Sequence, residues 1–212
     1  TAYEISLGLV GSEMCIRDRN RIMNSASDLK SLIIQHAEDA ELSKDGMIND
    51  GIIATKLGLQ GIPISAELLI IERDLTLLEY NNCRYHIAQI SSANSVDIIR
   101  ERKNKVNFSC GVSINNLSLN ENDIGDFKTF LKLSPPLRTE TDRNALVQGL
   151  NDKTIDVIVS DHKPEDEENK RLTFAQAETG ASGIETLLPL SLELYHNGSV
   201  ELETIIKALS LI

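Results

Sequence analysis

Two short motifs carry carboxylate and imidazole groups that could bind a metal ion or transfer a proton. The first is His36-Ala37-Glu38-Asp39, and the second is Asp161-His162. Both group types are common ligands of divalent metals, and a carboxylate beside a metal can act as general acid or base. The structural alternative is that each aspartate forms a turn or begins a helix.

Further polar side chains directly follow apolar runs of β type. Gln89 closes one run, Asn115-Asn116 follows the next, and Ser134 follows a third. If these runs are parallel strands, the polar residues lie at the carboxyl ends of the strands, where barrels and open α/β sheets build their sites. The alternative is that loops after strands are generally polar.

The elements that would position these side chains alternate along the chain. One helical pattern begins at Pro63, and four more cover 95–103, 139–150, 184–195 and 202–209. Thr139 and Asp142 form a capping box at the start of the helix predicted over 139–150. Strand and helix alternate without hairpin turns, which predicts an α/β fold with a parallel sheet of βαβ units. The five predicted strands are 31–35, 84–90, 106–113, 130–133 and 156–160.

Composition excludes several classes of function. The chain has 212 residues and a formal net charge of -11, which argues against nucleic acid and anionic membranes as partners. Cys15, Cys83 and Cys110 form no CxxC pair, so we predict neither a disulfide framework nor a zinc knuckle, and a reducing, cytoplasmic location. No apolar run approaches the roughly 18 residues of a membrane span.

Four segments resemble linked motifs of one enzyme family. DVIVSDHKPEDEENKRLTFAQAETGASGIETLLPLSLEL is similar to the last-strand signature of class I dihydroorotases, members of the amidohydrolase superfamily. The segments HAEDAELSKDGMINDG, YHIAQISSANSVDII and KLSPPLRTETDRNALVQGLNDKTID resemble earlier motifs of that family, in family order and spacing. The resemblance implies a partial TIM-type (β/α)8 barrel, with strands four to eight and their helices. Residues 20–212 are then the C-terminal part of the barrel, a fragment truncated at both ends.

The resemblance also implies an activity and a set of site residues. The family catalyses the reversible, zinc-assisted cyclisation of N-carbamoyl-L-aspartate to dihydroorotate in pyrimidine biosynthesis. Asp161 matches the family's metal ligand and general acid–base, and Asp39 matches the carboxylate that bridges the metals. Gln89 and Asn116 stand where the family has zinc-binding histidines. Because amides are poor zinc ligands, we expect zinc binding to be weakened or lost.

The predicted substrate-binding positions are also altered. Ser134 replaces the asparagine usual before the PPLR segment, and Glu165 replaces a histidine that contacts the substrate carboxylate, so that it would repel an anion. His162 is a candidate for substrate or metal contact, although a residue beside a metal-binding aspartate more often supports it. Arg138 could bind an anion or pair with a carboxylate. We expect His36 to support its loop.

Three interpretations remain open at this point, so whether the chain is an enzyme is undecided. One is a dihydroorotase acting on a small anionic substrate. A second, also implied by the resemblance, is a non-catalytic homologue that serves as a structural partner of aspartate carbamoyltransferase, in an oligomer. A third, more remote interpretation is an unrelated barrel enzyme acting on small anions. We predict that the 212 residues alone are inactive, because five strands leave two open edges.

The first segment, residues 1–19, stands apart from the rest. TAYEISLGLVGSEMCIRDR resembles translated sequencing-adapter DNA found at the ends of metagenomic gene models. We therefore predict that residues 1–19 are non-native and that the family domain begins at residue 20.

Overall fold

The computed structural model describes residues 16–210. Its central sheet has four parallel strands in the order β1-β4-β5-β6. A second, two-stranded parallel sheet is formed by β2 and β3. The strands are β1 (Leu32–Gln35), β2 (Ile48–Asn49), β3 (Gly61–Ile62), β4 (Arg84–Ile87), β5 (Ser109–Ser113) and β6 (Val157–Val159).

Helices connect the strands of the central sheet, which confirms the predicted parallel α/β organisation. Thr139 caps α6 through the predicted capping box with Asp142. No helix within residues 16–210 is long and apolar enough to cross a membrane. The helices are α1 (Ile16–Asp28), α2 (Ile52–Leu57), α3 (Ser65–Leu78), α4 (Ala93–Arg102), α5 (Ile114–Ser118), α6 (Glu140–Asn151), α7 (Glu167–Lys170), α8 (Leu187–His196) and α9 (Leu202–Ser210).

One predicted strand is wrong. The run 130–133 forms no strand; a short 3-10 helix covers Thr129–Leu131 instead, and β5 pairs directly with β6. Phe130 is 56% exposed, while Lys132 turns inward and donates through Nζ to the carbonyls of Ala175 and Ala177. The segment is thus held by a buried lysine and not by a strand ladder.

The core lies between the sheet and its helices. Ile87, Cys110 and Val112 of the central strands are fully buried and pack in one cluster with helix residues such as Leu75 and Ile99. The edge strand β1 differs, because Leu32 and Ile34 are 41% and 60% exposed. The described part of the sheet is therefore open at β1.

Helix α1 begins at Ile16, within the segment that we predicted to be non-native. Arg19 is 5% exposed and donates through Nε and Nη2 to the buried carboxylate of Asp74, at 3.2 and 2.5 Å. Tyr85 also donates to Asp74, at 2.6 Å. The boundary at residue 19 stays a prediction, and residues 1–15, including Cys15, lie outside the described residues.

Candidate active site

Two of the predicted site residues meet across the carboxyl ends of the strands. Gln89 follows β4, Asp161 follows β6, and the Gln89 Nε2 group donates to Asp161 Oδ1 at 2.9 Å. Both side chains are half-buried. Asp161 has a φ of 50°, in the left-handed region that few non-glycine residues adopt. Such strained backbone is often found at functional sites.

A second polar cluster joins the loop after β1 to the loop before α6. The Ser134 hydroxyl lies 3.0 Å from His36 Nε2 and donates to Glu38 Oε2 at 3.1 Å. The hydrogen bond to Glu38 raises the pKa of His36, although burial opposes the shift. Burial raises the pKa of Glu38, but contacts with His36, Ser43 and Ser134 outweigh it, so that the pKa is lowered. The contact between His36 and Glu38 therefore favours a protonated imidazole beside an ionised carboxylate.

Within the described residues, the Asp39 side chain makes no hydrogen bond to His36, Ser134 or Asp161. Its Oδ1 atom accepts hydrogen bonds from the backbone N–H groups of Glu41 and Leu42, at 3.1 and 3.0 Å. The carboxylate thus stabilises the turn that follows His36-Ala37-Glu38-Asp39. The structural alternative weighed for Asp39 describes its contacts here, and its role as a metal ligand stays a prediction.

Asn116 is enclosed by protein. Its side chain is 2% exposed, and Nδ2 donates to the carbonyl of Pro136 at 3.0 Å. The Oδ1 atom of Asn116 and the Nδ2 atom of Asn115 are buried without a hydrogen-bond partner within the described residues. Asn116 makes no hydrogen bond to Gln89 or Asp161, so the two positions that replace histidines are not joined.

The residues after Asp161 lie against a second loop. His162 Nδ1 accepts from the backbone N–H groups of Gly183 and Ile184, at 3.1 and 3.3 Å. Glu165 lies 3.6 Å from the ammonium group of Lys163. His162 is exposed and Glu165 is half-buried. His86 lies within β4, and its Nδ1 atom is 2.8 Å from Ser109 Oγ of the neighbouring strand.

Arg138 is buried and links three segments of the protein through hydrogen bonds. It is 3% exposed and donates to Asn49 Oδ1, the carbonyl of Ile62 and Ser91 Oγ, at 2.8, 2.6 and 3.1 Å. Burial lowers the pKa of Arg138 although several carboxylates surround it. The hydrogen bonds of the Arg138 side chain within the described residues therefore all go to acceptors of the protein itself.

Sequence reasoning missed Glu67, a second buried charge in the same region. Glu67 is 3% exposed and accepts hydrogen bonds from Ser91, Ser92 and Ser95. A signal was present, since several serines directly follow β4 at the start of α4, where hydroxyl groups are free to bind a carboxylate. Glu67 fixes the loop that carries Gln89.

The described donor atoms do not suit zinc. Within residues 16–210, no three His, Cys, Asp or Glu side chains are grouped so that they could hold a metal ion. Gln89 presents an N–H group to Asp161, where a metal-binding residue would present a lone pair. Asp39 Oδ1 and Asn116 Nδ2 form hydrogen bonds within the protein, whereas Asn116 Oδ1, an amide oxygen that binds zinc poorly, has no partner within the described residues.

Known proteins are similar to this chain in sequence and in fold. The Dihydro-orotase-like family model matches residues 16–95. A dihydroorotase of Ehrlichia canis (strain Jake) is 42% identical over 190 residues, which are 89% of this chain and 42% of the relative. A dihydroorotase of Anaplasma phagocytophilum (strain HZ) is 41% identical over 192 residues, covering 90% and 43%. The chain therefore spans less than half the length of these curated relatives.

The solved structures establish the fold class. The L-hydantoinase (dihydropyrimidinase) of Arthrobacter aurescens superposes with a TM-score of 0.79 at 23% identity, covering 92% of this chain and 45% of that one. The D-hydantoinase of Thermus sp. gives a TM-score of 0.76 at 20% identity, covering 91% and 44%. This likeness confirms the predicted α/β fold, part of a TIM-type barrel.

Proposed function

This chain belongs to the dihydroorotase family of the amidohydrolase superfamily, and we propose that it is part of a member whose metal centre is lost. Its sequence is that of a dihydroorotase-like amidohydrolase. We propose that residues 20–212 are the C-terminal part of the barrel domain and that residues 1–19 are non-native. The proposed role is that of a non-catalytic structural partner of aspartate carbamoyltransferase in pyrimidine biosynthesis, as an oligomer in the cytoplasm.

The observation that carries this proposal is the contact between Gln89 and Asp161. A carboxylate that binds a metal is balanced by the charge of that metal, whereas Asp161 is balanced by an amide N–H group at 2.9 Å. Zinc prefers imidazole, thiolate and carboxylate ligands, and the Gln89 side chain offers at best an amide oxygen. A zinc ion bound at Asp161 would therefore gain no imidazole from the Gln89 position.

The altered substrate positions agree with the loss of catalysis. Glu165 places a carboxylate where the family has a histidine, next to Lys163. Ser134 bonds to His36 and Glu38 and not to an open site. A dianion such as N-carbamoyl-L-aspartate would meet a carboxylate at Glu165, where the family supplies a histidine.

A second candidate is an active dihydroorotase that converts N-carbamoyl-L-aspartate to dihydroorotate reversibly, with zinc. The position of Asp161 favours it, because an aspartate is kept in a strained conformation at the carboxyl end of β6. The 42% identity to a curated dihydroorotase also supports it.

Turnover and association of the full-length protein distinguish the two candidates. We expect no dihydroorotate hydrolysis, with or without added zinc, and a complex with aspartate carbamoyltransferase in analytical ultracentrifugation. The double variant Gln89→His, Asn116→His restores the two histidines of the family. It shows whether the loss of these two side chains alone explains the absence of turnover. Zinc-dependent turnover by the unmodified protein would overturn the proposal in favour of the second candidate.

A further inference from the structure

A concave surface lies at the amino ends of β5 and β6, at the end of the strands opposite Gln89 and Asp161. It has a volume of about 500 Å³ and is lined by the loop of residues 103–108 and by Asp156. The loop connects α4 to β5, and Asp156 directly precedes β6. Because β5 and β6 are parallel, the length of the strands separates this surface from the loops around Asp161. It is therefore distinct from the candidate active site.

The loop that lines this surface is held by its backbone. The N–H groups of Lys105 and Val106 both donate to the carbonyl of Arg102, at 2.8 and 3.0 Å. Phe108, at the other end of the loop, is 9% exposed and packs in the main hydrophobic cluster. The concave surface is thus formed before any ligand binds, which lowers the entropy cost of binding.

The carboxylate in the lining is already paired. Asp156 Oδ1 accepts from the ammonium group of Lys103 at 2.6 Å, and Oδ2 accepts from the backbone N–H group of Cys110 at 2.8 Å. The lining holds two lysines, Lys103 and Lys105, against this one aspartate. In a chain whose formal net charge is -11, this surface therefore has a local excess of positive charge, which favours an anion.

Three exposed side chains of the lining have donor groups that the protein does not use. The ammonium group of Lys105 and the side-chain amides of Asn104 and Asn107 make no hydrogen bond or ion pair within residues 16–210. A structural alternative is that Lys105 compensates the negative carboxyl end of α4. The last turn of α4 already contains Arg100 and Arg102, so it does not require Lys105.

We propose that this concave surface binds the phosphate group of a small molecule. A phosphate dianion offers several acceptor oxygens, which suit one ammonium and two amide donors on a fixed loop. Lys105 supplies the unpaired charge, Asn104 and Asn107 donate N–H groups, and Lys103 remains paired with Asp156. The proposal goes beyond the proposed function, because the site needs neither a metal ion nor aspartate carbamoyltransferase.

Calorimetric titration of the full-length protein at constant ionic strength tests the site, with inorganic phosphate and glycerol 3-phosphate as probes. Tighter binding of glycerol 3-phosphate identifies a phosphate monoester as the ligand class, and equal or weaker binding identifies free phosphate. Lys105→Met should weaken binding about fivefold, the effect of one hydrogen bond, whereas Lys105→Arg should bind nearly as well as the unmodified protein. Lys56→Met removes an exposed lysine of α2 and, as the matched control, should leave the affinity unchanged.

Two results would overturn the proposal. One is the absence of saturable binding of both probes. The other is equal weakening by Lys105→Met and Lys56→Met, which would show attraction to net charge alone. Urea unfolding separates binding from a structural role: Lys105→Met should unfold like the unmodified protein without phosphate, and phosphate should stabilise it less. Neither measurement depends on zinc content or turnover, so failure here is distinct from failure of the proposed function.

Discussion

Replacing Gln89 with glutamate tests whether the amide N–H group of Gln89 stabilises the negative charge of Asp161. The change preserves side-chain length but turns the 2.9 Å hydrogen bond into a contact between two carboxylates. A hydrogen bond to a charged group contributes roughly 1.5–3 kcal/mol. Two like charges about 4 Å apart repel by about 4 kcal/mol at an effective dielectric constant of about 20, and solvent reduces this at half-buried positions. We therefore expect Gln89→Glu to lower the free energy of unfolding by about 2–4 kcal/mol at pH 7.

The loss should depend on pH in a defined direction. Mutual repulsion raises the pKa of one carboxyl of the pair above its value of about 4 in the unfolded chain, so the destabilisation grows as pH rises above that value. Urea unfolding of full-length protein at pH 7 and at about pH 4.5 measures it, with Gln60→Glu at an exposed position as the control. The reasoning is refuted if Gln89→Glu costs no more than Gln60→Glu at pH 7, or the same at both pH values.

Three further predictions concern the residues around the site. Arg138→Met should lower the free energy of unfolding by about 3–5 kcal/mol in urea, because three buried acceptors lose their donor. Gly183→Ala should lower the free energy of unfolding by about 1–3 kcal/mol, because its Cβ would lie 2.1 Å from the carbonyl oxygen of Ser160. It should also shift the ring resonances of His162, whose Nδ1 atom accepts from the N–H group of Gly183. The hydrogen bond to Glu38 raises the pKa of His36, so the stability it contributes is full below about pH 6.5 and is lost as pH rises through the folded-state pKa. His36→Gln should remove this loss of stability above about pH 6.5.

Each of these predictions has a matched control. Arg143→Met removes a half-exposed ion pair with Glu140 and should cost less than about 1 kcal/mol. Gly51→Ala adds a Cβ atom that meets its neighbours only at 3.6 and 3.9 Å, without a left-handed backbone, so it should cost little. His196→Gln should leave the pH dependence unchanged. Equal effects of variant and control would contradict the corresponding prediction.

The sequence predicted the sheet where its pattern was unambiguous. The runs that became β4 and β6 lie between predicted helices, and the carboxyl ends of the predicted strands could be expected to meet, as Gln89 and Asp161 do. The run 130–133 misled because a four-residue apolar stretch fits several conformations. Its outcome depended on Lys132, whose ammonium group binds two carbonyls more than forty residues away in the chain.

The contacts of the site were less predictable than its members. Asp39 stabilises a turn through its neighbours Glu41 and Leu42. The burial of Arg138, in contrast, depends on Asn49, Ile62 and Ser91, which belong to separate segments. No local pattern encodes such partners, because they are brought together only when the helices pack on the sheet. The hydrogen bonds that His162 Nδ1 accepts likewise depend on the loop at Gly183.

The zinc content of the full-length protein, expressed with zinc present and measured by elemental analysis after gel filtration, tests the central claim most directly. The contact between Gln89 and Asp161 predicts substoichiometric zinc in the unmodified protein and more zinc in the Gln89→His, Asn116→His variant. One or two zinc ions per unmodified chain would contradict the loss of the metal centre.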